Sequence, residues 1–200
     1  MSILKIDMHS HIIPKILPDW SKKFGYGDFI HLESVDEYTA NMMKGNEHFR
    51  TIKSNCWNSD ERIQEYQTHG IEKHVACTIP VLFSYHAKAK DGLEISRFLN
   101  DHLSDEVSKY PNHLIGLGTL PLQDTDLSIQ ELLRLKNELN LSGIQIGSNI
   151  NDVNLDDERF FPLYEVMNDL ELPVMVHPWN MMGTSHIKKY WLPWLVGMPA

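Results

Sequence analysis

His9 and His11 stand two residues apart in IDMHSH (6–11), directly behind Asp7. In an extended strand, side chains at i and i+2 point to one face, so Asp7, His9 and His11 are expected to share a face. At a rise of ~3.3 Å per residue, the two histidine alpha carbons lie about 6.6 Å apart. Two imidazoles at that spacing can converge on one cation through bonds of about 2.0–2.1 Å. A third imidazole, His177, ends the apolar run VMVH (174–177). Pro178 follows it and cannot donate to a sheet ladder, so the strand is expected to stop there. In parallel α/β folds, ligands gather at the C-terminal ends of strands. Three histidines at such ends make a divalent-metal site.

His-x-His alone is weakly specific in a chain with 11 histidines. The other eight are His31, His48, His69, His74, His86, His102, His113 and His186. None ends a comparable strand, and they are expected to be surface or satisfied core residues. Of the two cysteines, Cys56 and Cys77 form neither a disulfide framework nor a CxxC pair, which fits a reducing compartment.

The elements that must hold these histidines can be read from pattern. Residues 3–9 read as a first strand. Residues 12–58 are irregular by pattern, with a helix expected near 35–44 and an extended piece at 48–53. A connection of that length needs structure of its own. Beyond it, helices are expected over 59–70, with Ser59 as N-cap, and over 91–110, about 127–139 and 156–170. Strands are expected over 73–79, 114–120, 142–148 and 172–177. The alternation implies parallel strands with helices packed outside and right-handed connections. An open doubly wound sheet and a (β/α) barrel both fit. No GxGxxG or phosphate loop follows the first strand, which weakens the nucleotide-binding form of the open sheet. Five strands are fewer than the eight of a closed barrel. The final stretch, 191–200, is aromatic and apolar with no polar stop, and the chain is expected to be part of a longer protein.

The hydrophobic share of 42% supports a packed core in one domain. A net charge of −9 argues against nucleic-acid or anionic-membrane partners. No apolar run reaches the length of a membrane-spanning helix, and the N-terminus is too short and polar for a signal peptide. The expected location is therefore the cytosol.

Longer blocks add specificity: HSHIIP (9–14), FGYG (24–27), NCW (55–57), GLGTLP (116–121), GIQIG (143–147), HPW (177–179) and YWLPWLVGMP (190–199). With DMHSH (7–11), they resemble the metal-dependent decarboxylase branch of the amidohydrolase superfamily. In their order they are similar to the 2-amino-3-carboxymuconate-6-semialdehyde decarboxylase family. The resemblance implies a distorted (β/α)8 TIM-type barrel, incomplete here at about five of eight strands, with a small insertion at about 12–58. It implies Zn2+ held by His9, His11 and His177. It implies a dicarboxylate semialdehyde substrate held by Arg50, with Lys44, Phe49, Met181 and Trp194 around the pocket. Arg50 has a physical case of its own, because a guanidinium fork pairs bidentately with a carboxylate. The family's fourth ligand, an aspartate, and its general-base histidine match no residue of this chain, so no catalytic base is assigned. The resemblance also implies non-oxidative decarboxylation in tryptophan (kynurenine) catabolism, limiting quinolinate formation, by a homodimer when full length. Two other readings stay open: a metal-dependent hydrolase of the same superfamily, and a non-catalytic fragment that associates with the full-length enzyme.

Overall fold

The computed structural model describes residues 4–181, 189–193 and 195. Trp194 and His186 lie outside the described residues. Five parallel strands form the main sheet in the order β1-β5-β6-β7-β10. They are β1 (Ile6–His11), β5 (Lys73–Cys77), β6 (Leu114–Gly118), β7 (Gly143–Gly147) and β10 (Val174–His177). Each lies beside the next in sequence order among themselves, as along a barrel wall. The sheet is curled into a partial (β/α)8 barrel, bringing the end of β10 back toward the end of β1.

Helices fill the connections: α2 (Ser59–Thr68), α3 (Ala89–Lys109), α4 (Thr125–Asn137) and α5 (Phe161–Asp169). In α3 the helical period is direct, with Ile95, Leu99 and Leu103 all buried. They, with Leu132 and Leu135 of α4, face the sheet residues Leu114, Ile144 and Ile146 or the adjoining insertion core. Glycine sets how closely α4 approaches β6. A Cβ on Gly118 would lie 2.8 Å from both terminal carbons of Leu135, closer than packed carbons tolerate. On the opposite face of the sheet, Val75, Cys77 and Leu117 form a separate small core with Ile115 and Met175.

Residues 12–58 carry a short helix, α1 (Trp20–Phe24), and an antiparallel sheet of β2 (Ile30–Ser34), β3 (Thr39–Lys44) and β4 (Glu47–Lys53). The extended piece expected at 48–53 is β4. The helix expected near 35–44 is instead β3. Its Ala and Met residues suit a helix, yet Ala40 and Met42 are buried at a period of two between two partner strands. Pairing and burial on both sides override intrinsic preference. The sheet packs through Phe29, Ile30, Met42 and Ile52 onto Ile95 and Leu99 of α3. Each such buried side chain contributes roughly 1.5–3 kcal/mol. That contact fixes the insertion above the C-terminal strand ends.

Two local readings are corrected. The N-cap of α2 is Asn58, not Ser59, because the Asn58 side chain accepts the backbone N–H groups of Asp60 and Glu61. The expected helix over 156–170 begins only at Phe161. A two-residue hairpin, β8 (Asn149–Ile150) with β9 (Val153–Asn154), and a single 3-10 turn (Glu158–Phe160) precede it. Asn151 and Asp152 turn that hairpin at φ of 50° and 64°, a conformation that Asn and Asp accept better than most residues.

Candidate metal and anion site

His9, His11 and His177 come together at the C-terminal mouth of the sheet. Their ring centroids are 4.7 Å (His9–His11), 4.9 Å (His9–His177) and 5.3 Å (His11–His177) apart. Curling of the sheet produces this meeting of residues 166 positions apart in the chain.

Strand β1 does not run regularly to its end. Asp7 pairs with His74, while Ser10 pairs with Ala76 and His11 with Cys77, so β1 uses one residue more than β5 between those pairs. This is a β-bulge, and an extra residue shifts which side chains share a face. The expectation that Asp7, His9 and His11 share a face is therefore overturned for Asp7. Asp7 lies level with His74, whose ring stacks at 4.1 Å on Tyr66 of α2. The Asp7 carboxylate accepts the His9 backbone N–H at 3.1 Å. It holds the backbone of a ligand candidate, and its charge partly opposes the lowering of the His9 ring.

Backbone carbonyls orient two of the rings. His11 Nδ1 is 3.0 Å from the Thr78 carbonyl, and His177 Nδ1 is 2.7 Å from the Pro178 carbonyl. A carbonyl can only accept, so each Nδ1 carries a hydrogen and Nε2 is the nitrogen left to meet a cation. Burial, with the neighbouring His9 and His177, pulls His11 down to about 4. Burial first, then His177, also lowers His9.

Ligand-type atoms of His9, His11 and Cys77 also lie within 4.8 Å of one another. The thiol is the weaker third member. Burial raises Cys77 to about 12, and its Sγ donates to the Ser10 carbonyl at 3.3 Å. A thiol binds metal well only as thiolate. His177, with Nε2 not engaged by the Pro178 carbonyl, completes the more suitable set. Three imidazoles suit zinc and its first-row neighbours.

Beside the histidines opens a cleft of about 550 Å³, a volume typical of small-molecule sites. His11 and His177 line it together with Lys44, Phe49, Arg50 and Met181. All the substrate-side residues read from the sequence and described in the structure thus border one cavity. The β3–β4 hairpin places the cations. Gly45 turns it at φ +56°, the first central position where a type II′ turn needs glycine. A Cβ there would also lie 2.7 Å from Asp28 Oδ1. Arg50 stands over the Phe49 ring at 5.8 Å. Neither Lys44 nor Arg50 enters an ion pair with a described residue, so two uncompensated cations face the cavity.

Asp28, Ser84, His86 and Trp179 border the same cavity and were not singled out from the sequence. Burial, then the charge of Lys44, lowers His86, with Asp28 opposing. A sequence signal for His86 was absent, because it lies in a loop after β5 with no periodic context.

The chain matches the amidohydrolase family model over residues 6–189. It is 49% identical to 2-amino-3-carboxymuconate-6-semialdehyde decarboxylase of Dictyostelium discoideum, over 98% of this chain and 55% of that protein. To the protein of that name from Caenorhabditis elegans it is 31% identical, over 98% of this chain and 61% of that protein. It thus spans little more than half the length of these relatives. Among solved structures, dihydroxybenzoic acid decarboxylase from Polaromonas sp. JS666, with bound manganese and the inhibitor 2-nitroresorcinol, superposes with a TM-score of 0.70. That match is 23% identical and covers 94% of this chain and 54% of the other.

Proposed function

Since the chain belongs to the amidohydrolase family, we propose that its three clustered imidazoles hold zinc for a decarboxylase reaction. The substrate we propose is 2-amino-3-carboxymuconate 6-semialdehyde, in tryptophan (kynurenine) catabolism, where its removal limits quinolinate formation. The carrying observation is the placement of His11 and His177 in the same cavity lining as Lys44 and Arg50, two cations that enter no ion pair with a described residue. That arrangement matches a ligand with more than one carboxylate.

A bound divalent ion supplies Lewis acidity and lowers the pKa of coordinated water toward about 7. The chain's own residues do the rest. His9, His11 and His177 present imidazole nitrogens at the strand ends. Arg50, as a planar fork, orients one substrate carboxylate. Lys44 adds a point charge near the second. Phe49 and Met181 give the conjugated chain an apolar wall, and Trp194 is proposed to continue it. Loss of carbon dioxide breaks the bond from C3 to its carboxyl carbon. The electron pair enters the conjugated chain, and a proton replaces the lost group.

The family's fourth ligand and general base match no residue here. A 200-residue polypeptide of this sequence is therefore expected to bind zinc weakly and not to turn over. In full length the protein is proposed to work as a cytosolic homodimer. No described helix is long and apolar enough to cross a membrane.

The test is a comparison of substrate classes. Zinc-loaded protein of full family length is assayed on the muconate semialdehyde and on amide and lactone panels. Release of carbon dioxide from the first alone supports the reading. Hydrolysis without decarboxylation contradicts it.

A further inference from the structure

We infer that helix α2 is a clamp that sets how His9 and His11 meet a cation, with Arg62 and Tyr66 as positioning residues. The inference rests on the metal reading above.

Arg62 and Tyr66 are four residues apart and therefore lie on one face of α2. That face covers the bulged end of β1, and the two side chains act at either side of the bulge. Arg62 Nη2 donates to the backbone carbonyl of His11. Tyr66 acts at the other side: burial first, then the Asp7 carboxylate that holds the His9 N–H, raises its hydroxyl. Its ring stacks on His74, the register partner of Asp7. One helix face thus reaches the backbone of both histidines.

The guanidinium is placed at a cost. Arg62 is only 5% exposed, its Nε finds no acceptor, and it enters no ion pair among the described residues. Burying a charge without an opposite charge in contact costs several kcal/mol. A residue needed only to cover β1 would be better apolar. What the guanidinium adds is a directed donor at the last carbonyl of β1, just before the chain leaves the ladder through the Ile12 N–H bond to the Cys77 carbonyl. Loss of that donor would loosen the bulged strand end that sets the His11 ring against that of His9. The clamp is itself anchored: Ser59 of α2 donates to Glu106 of α3, and Tyr110 donates to Asp60 at 2.8 Å.

The test uses Tyr66→Phe and Arg62→Lys in the full chain. Tyr66→Phe removes one hydroxyl and keeps the stack; Arg62→Lys keeps the charge and loses the fork. Three quantities are measured: the zinc dissociation constant by competition with a chromophoric chelator, the visible spectrum of the cobalt form, and the melting temperature of the metal-free protein. Outer partners of metal ligands typically contribute 10–100-fold in affinity. The expected result is about tenfold weaker zinc binding in both variants and an altered cobalt spectrum. Metal-free melting of Tyr66→Phe should change little, so that variant decides the matter if Arg62→Lys folds poorly. Wild-type affinity and an unchanged cobalt spectrum in Tyr66→Phe would overturn the clamp while leaving the metal site standing. So would weaker binding matched by an equal loss of metal-free stability, which marks a merely structural role. Absence of zinc binding by the wild-type protein would instead remove the metal reading, and the clamp with it.

Discussion

Replacing Arg50 by glutamine separates ligand recognition from folding. Arg50 is exposed on β4, makes no ion pair with a described residue, and contacts the Phe49 ring. Its loss should therefore move stability by no more than about 0.5 kcal/mol. For a chain of this size, that is a melting shift of up to about 2 °C. Binding should respond differently. A hydrogen bond to a charged partner contributes about 1.5–3 kcal/mol, and an exposed position points to the low end. About 1.4 kcal/mol is a factor of ten, so affinity for a dicarboxylate should drop roughly 10–20-fold. The assay is calorimetric titration of the zinc-loaded protein with cis,cis-muconate, an unsaturated dicarboxylate, at two salt concentrations. The wild-type advantage should shrink at higher salt, as screening weakens an exposed charge pair. A dissociation constant within twofold of wild type, or a melting loss above about 5 °C, would refute the reasoning.

Glu131→Gln should destabilise strongly, by about 3–5 kcal/mol, because it breaks a buried ion-pair network. The Glu131 carboxylate is fully buried and accepts from Asn100 at 2.7 Å and from Arg134 at 2.9 Å, and thermal melting reads the loss. Stability should also fall in acid. Burial lowers His74 to about 4 from the ordinary 6.5, so the unfolded chain binds more protons between those values. The His74 contribution is complete above about pH 6.5 and is lost as pH falls through about 4. Melting across that window should be flatter in His74→Phe, which keeps a ring stacked on Tyr66 and removes the titrating imidazole. Gly116→Ala should cost about 1–3 kcal/mol through overpacking, since the new methyl would lie 2.6 Å from a Leu141 carbon.

Strands and helices after residue 58 were legible because each carries its period plainly, as Ile95, Leu99 and Leu103 do on α3. The convergence of His177 on His9 and His11 was inferable because each sits at the end of a parallel strand. Three features were not legible, for physical reasons. The bulge at Asp7 arises from pairing with β5, and a single strand shows no partner. The strand β3 was masked by residues that favour helices, whose burial is decided by the sheet they enter. Arg62 reads as one more exposed helix charge until the helix face it occupies is seen covering β1.

Metal stoichiometry tests the three-imidazole site most directly. Metal-free protein of full family length is titrated with zinc beside His177→Ala, and bound metal is counted by elemental analysis after gel filtration. One zinc per wild-type chain, with affinity lost in the variant at unchanged metal-free melting, is the predicted result. Equal metal content in the two proteins would contradict it.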